Sequence, residues 1–191
     1  MKKKKLLVVF PGIGYHCDKP LLYYGRKTAA EAGYDEVINI SYSCPVQNIR
    51  GDKEKMRQAF DAMYAQAKES LSGVAFDEYA DVLFMSKSIG TVIAAAYEKE
   101  REIKGVRHVL YTPLAETIEV LNGEKDIDAI AFIGSDDPWS DVPKVVEMAK
   151  KQGIPMHLYE GVNHSLEGKD TLENIEILGK VMKKTKHFIE K

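Results

Sequence analysis

A serine, a pair of aspartates and a histidine each fall just beyond an apolar run of this chain, and together they could carry out nucleophilic catalysis. Val82-Leu83-Phe84-Met85 feeds into Ser86-Lys87-Ser88-Ile89-Gly90 and then into a helical stretch. That order reads as strand, tight turn, helix. A serine on such a turn is held at a strained backbone angle with its hydroxyl above the carboxyl edge of a sheet. Small residues two positions before and after, here Ser86 and Gly90, let strand and helix pass closely. A serine hydroxyl is a weak nucleophile until a base lies within hydrogen-bond reach, and the base needs a carboxylate to orient it. His164 in Gly161-Val162-Asn163-His164-Ser165 and Asp137 in Gly134-Ser135-Asp136-Asp137-Pro138 supply those types. Asp136 competes for the acid role and Glu160 is a further candidate. Ser86 could serve only as a hydrogen-bonding neighbour.

The elements that must position these residues alternate between short β-branched runs and longer stretches of helical period. The pattern predicts strands at 5–10, 36–42, 81–85, 108–111, 129–133 and 156–159. Helices are predicted near 20–32, 52–71, 88–102, 114–122, 142–152 and 171–190. Such alternation argues an α/β fold, with a mostly parallel six-stranded sheet flanked by helices on both faces. Met56, Phe60, Met63, Tyr64 and Ala67 recur at helical spacing between charged residues, which marks core contacts.

The Ser88, Asp137, His164 order, each after a predicted strand, resembles the α/β-hydrolase family. The chain is most similar to its small capless bacterial members, of the dienelactone hydrolase and esterase kind. The resemblance implies a minimal α/β-hydrolase fold that lacks the usual first two strands, a single domain over residues 1–191, and no substantial cap. The family spacing of glycine and aspartate selects Asp137, and Gly-x-Asn-His is the family's setting for the catalytic histidine. Pro11-Gly12-Ile13-Gly14-Tyr15 resembles the family's oxyanion loop, with Pro11 where histidine is often found. By that analogy the backbone N–H groups of Ile13 and Ile89 form the oxyanion hole. Gly12, Gly14, Tyr15 and Thr112 are expected to contact substrate, and Trp139 to anchor its loop by packing. The implied activity is that of a serine hydrolase, most simply a carboxylic ester hydrolase on small acyl substrates. Thioesterase, amidase and peptidase chemistry use the same machinery, and a hydrolase-fold binding module without turnover is the alternative from another class.

Bulk properties narrow the setting. With 191 residues, a formal charge of −2 and lysines and carboxylates interleaved, the chain suggests neither nucleic acid nor an anionic membrane as partner. The lysines before Leu6 could be mistaken for the start of a secretion signal. The apolar run that follows ends at Pro11, short of the roughly 7 to 15 residues such a core requires. It reads as a solvated tail entering a buried strand. Cys17 and Cys44 form no metal framework, and reduced thiols fit a cytoplasmic location. Gly12-x-Gly14 lacks the third glycine of a dinucleotide fingerprint, so no cofactor and no metal are expected. The exposed edge of a shortened sheet is where a second copy of the chain could pair to give a homodimer.

Overall fold

The computed structural model describes residues 3–123 and 127–191; the first two residues of the lysine tail lie outside them. Six strands form one sheet: β1 (Lys5–Phe10), β2 (Glu36–Asn39), β3 (Asp81–Lys87), β4 (Val106–Tyr111), β5 (Asp128–Gly134) and β6 (Met156–Tyr159). The order is β2-β1-β3-β4-β5-β6 and every pairing is parallel, so the sheet is wholly parallel rather than mostly so. The chain leaves β1 toward β2 and returns across it to β3. Loops from β1 and β3 therefore diverge at this switch point, where open α/β sheets form a crevice at the carboxyl ends of their strands.

Six helices cover the sheet: α1 (Pro20–Glu31), α2 (Lys53–Ser70), α3 (Ile89–Arg101), α4 (Ala115–Leu121), α5 (Val142–Lys151) and α6 (Thr171–Ile189). β1, β3 and β5 are buried on both faces, and this is why they read as continuous apolar runs. Leu7, Val9, Leu83, Met85, Val109 and Phe132 face α1 and α6, while Leu6, Val8, Val82 and Phe84 face α2 and α3. Leu110, Ala131 and Ile133 face α4 and α5. Asp52 and Asp170 cap α2 and α6 by accepting from first-turn amides.

The predicted 36–42 strand stops at Asn39: Glu36–Asn39 pair with β1 along the edge of the sheet, and the Ile40 amide makes the last bond, to the Val9 carbonyl. β3 runs two residues further than predicted, through Ser86 and Lys87, which still pair with β4. No helix among the described residues is long and apolar enough to cross a membrane.

Two glycines set how closely the loops approach. A Cβ on Gly90 would lie 2.3 Å from the Phe10 carbonyl oxygen, so only glycine lets the first turn of α3 rest against β1. A Cβ on Gly134 would lie 2.2 Å from the Val162 carbonyl oxygen, which holds the end of β5 against the loop after β6. Backbone atoms cannot move aside as a flexible side chain can. Gly90→Ala should therefore cost about 2 kcal/mol or more in denaturant unfolding, whereas Gly73→Ala, with open space around it, should be near neutral.

Candidate active site

The elbow at Ser88 is strained as its sequence suggests. Ser88 has φ 56° and ψ −128°, between the last residue of β3 and the first of α3. Its N–H donates to the Tyr111 carbonyl at 3.0 Å, and its own carbonyl accepts from the Thr91 amide and hydroxyl, at 2.8 and 2.6 Å. These bonds from β4 and α3 hold a backbone conformation that a serine would otherwise avoid.

The three loops that carry Ser88, Asp137 and His164 converge at one end of the sheet. Ser88 Oγ lies 2.7 Å from His164 Nε2, and His164 Nδ1 lies 2.6 Å from Asp137 Oδ2. A carboxylate only accepts, so Nδ1–H donates to Asp137, and Nε2 is left to accept from the Ser88 hydroxyl. The other Asp137 oxygen accepts from the Trp139 amide at 2.9 Å. Asp137 is buried, at 5% exposure, and its carboxylate is fully committed. Burial is the largest influence on His164 and lowers its pKa, with the positive charge of Lys87 adding to this; the Asp137 hydrogen bond and charge oppose it.

The competing residues have other partners. Asp136 accepts from the Ser135 hydroxyl at 2.8 Å, while Ser135 Oγ accepts from the Gly161 amide at 2.8 Å. With the Asp136 amide donating to the Val162 carbonyl, this pair staples the acid turn to the histidine loop. Ser86 is wholly buried and its hydroxyl faces the Val109 carbonyl. Glu160 is exposed and makes no contact with His164 among the described hydrogen bonds.

Residues 12–15 form a tight turn over the elbow, closed by hydrogen bonds between Gly12 and Tyr15 at 3.1 and 3.2 Å. Gly12 lies directly against Ser88, since a Cβ there would be 3.1 Å from the serine Cβ. Gly14 has φ 69°, which the reversal of the turn requires. Ile89 opens α3, so its N–H has no acceptor within the helix. Neither the Ile89 nor the Ile13 N–H donates to a backbone carbonyl among the described residues.

Two expected substrate contacts need correction. Thr112 is wholly enclosed, with φ 44° and a buried hydroxyl that has no partner, so it offers no surface to a ligand. Tyr15 turns inward to 8% exposure, and its hydroxyl accepts from the Leu21 amide. Trp139, expected to pack, is instead partly exposed. Its ring centre is 6.0 Å from that of His164, and the Arg50 guanidinium lies 5.9 Å above it. The place of Arg50 was not legible because its loop has no periodicity. Lys87, a lysine that ends an apolar strand, is buried beside the elbow.

A cleft of about 1140 Å³ lies at the opposite edge of the sheet and is lined by Glu98, Arg107 and His108. A smaller groove of about 330 Å³ adjoins the histidine loop at Ser165 and Leu166. Neither is lined by Ser88, which is half-buried; Ile13 on the 12–15 turn and Trp139 near His164 are exposed.

Solved structures share this arrangement of strands and helices. The chain is similar to the Pyrococcus furiosus esterase Pf2001, with 13% identity and a TM-score of 0.61 over 99% of this chain and 83% of that one. It is also similar to Est1E from Butyrivibrio proteoclasticus, with 14% identity and a TM-score of 0.59 over 100% and 90% of the two chains. A serine hydrolase homologue from Coxiella burnetii aligns over 96% and 85%, with 12% identity and a TM-score of 0.55. The chain has the α/β-hydrolase fold. No protein-family model and no curated protein sequence matches it.

Asp137 follows β5 and His164 follows β6, and their pairing is open to a direct test. Asp137→Asn should lower the pKa of His164 further, because it removes a charge and an acceptor that favour the imidazolium; Asp136→Asn should leave it unchanged. An NMR titration of the imidazole reads both outcomes.

Proposed function

We propose that this protein is a serine hydrolase in which Ser88 is the nucleophile, His164 the general base and acid, and Asp137 the orienting carboxylate. The observation that carries this reading is the continuous hydrogen-bond chain from Ser88 Oγ through both ring nitrogens of His164 to Asp137. Ser88 Oγ attacks an acyl carbonyl while its proton passes to His164 Nε2. The carbonyl π electrons move to oxygen, and that oxyanion accepts from the Ile13 and Ile89 N–H groups. As the tetrahedral intermediate collapses, the alkoxide leaves with the proton from His164. Water, giving its proton to His164, then attacks the acyl-enzyme and frees the acid and Ser88.

Carboxylic esters of small acids are the proposed substrates. α4 spans only Ala115–Leu121 between β4 and β5, which supports a site without a substantial cap and with substrate held loosely beside Ile13 and Trp139. The similarity in fold to an esterase supports the same class. The reading includes a cytoplasmic setting in which Cys17 and Cys44, both free thiols, stay reduced.

Intact-mass analysis after incubation with a fluorophosphonate tests the nucleophile. Labelling should disappear in Ser88→Ala and persist in Ser86→Ala, whereas an unlabelled, folded parent would favour a binding module. Among esters, thioesters and amides of one acyl group, the oxygen ester should give the highest kcat/KM. Ser88→Ala should lower that value by about 10³-fold or more.

A further inference from the structure

Lys87 is the residue in this region whose chemistry is not yet accounted for. It ends β3 immediately before the nucleophile, yet it is 1% exposed. Its stem runs beneath the 12–15 turn: a Cβ on Gly12 would lie 3.6 Å from Lys87 Cγ. Its Nζ lies 5.0 Å from the centre of the Tyr15 ring, whose hydroxyl accepts from the Leu21 amide. No carboxylate lies within 4.0 Å of Nζ among the described residues, because the Asp137 carboxylate that acts on it is taken up by His164 and the Trp139 amide. A buried ammonium without a paired carboxylate is costly, and a neutral side chain of equal length would fill the same space.

We propose, resting on the serine-hydrolase reading, that Lys87 is a positioning residue of this site: its stem supports the Gly12–Tyr15 turn, and its amine carries the local positive charge so that His164 stays an unprotonated base. The titratable groups around it are Tyr15 from the first loop, Tyr111 from the paired position of β4, and Asp137 and His164 from the loops after β5 and β6. Burial raises both tyrosines, Tyr15 to about 12, so they remain neutral. Asp137 and His164 are therefore the partners that matter.

Burial lowers the Lys87 amine to about 7, with Asp137 opposing, and the Lys87 charge helps to lower His164. The Lys87 ammonium repels a proton from His164, and the base stays competent at lower pH.

Lys87→Met and Lys87→Gln test this in parallel, with the His164 imidazole titrated by NMR and fluorophosphonate labelling measured against pH. Without the amine, His164 should protonate at higher pH, by about half a unit or more, and the acid limb of labelling should move with it. The parent should also gain stability as pH rises from about 7 toward the ordinary lysine range, because its unfolded chain holds the proton longer. The methionine variant should lack that gain. An unmoved His164 titration in a folded variant would overturn the proposal and leave Lys87 a packing strut. So would failure of both variants to fold. If the parent is unlabelled at every pH, the hydrolase reading falls, while the imidazole titration still decides the role of Lys87.

Discussion

Close backbone contact at Gly90 is the constraint from which the rest of this site follows. The first turn of α3 rests on the carbonyls of Phe10 and Pro11 with no space for a side chain between them. That contact fixes the elbow amide of Ile89 beside the loop that leaves β1, and Gly12 against Ser88 completes the approach. A second contact of the same kind, Gly134 on the Val162 carbonyl, joins the acid turn to the histidine loop. Two missing Cβ atoms thus allow four loops from separate strands to meet at the switch point of the sheet.

Stability and reactivity are divided between the faces and the edge of the sheet. Both faces of the four central strands bury apolar side chains at most positions, and that burial is the main source of favourable folding energy. The carboxyl edge instead accumulates unfavourable features. Ser88, Thr112 and Leu166 have positive φ, Thr112 has a buried hydroxyl without a partner, and His164 and Lys87 are held where burial opposes their charge. Such features persist where the surrounding structure over-determines them, and here they surround one hydroxyl.

Much of this was legible in the sequence, for reasons that can be named. Parallel strands covered on both faces leave continuous apolar runs, so β1 and β5 were readable almost to the residue. Ser88, Asp137 and His164 each follow a strand, and their order in the chain matches the order of the strands that carry them. Side-chain direction was not legible. Nothing local shows that Tyr15 turns into the core to meet the Leu21 amide, or that Thr112 is enclosed, because both depend on helices and loops distant in sequence. Arg50 reaches Trp139 from the irregular stretch after β2, where no period exists to follow. Lys87 carried a signal in its type, and its meaning appeared only with the Gly12–Tyr15 turn above it.

A crystal structure of the protein after reaction with a small fluorophosphonate tests most directly whether these loops form a catalytic centre. The phosphorus should be bonded to Ser88 Oγ, with its phosphoryl oxygen accepting from the amides of Ile13 and Ile89 and with His164 still paired to Asp137. Phosphorus on another residue, or a phosphoryl oxygen turned to solvent with both amides unused, would contradict the proposed chemistry.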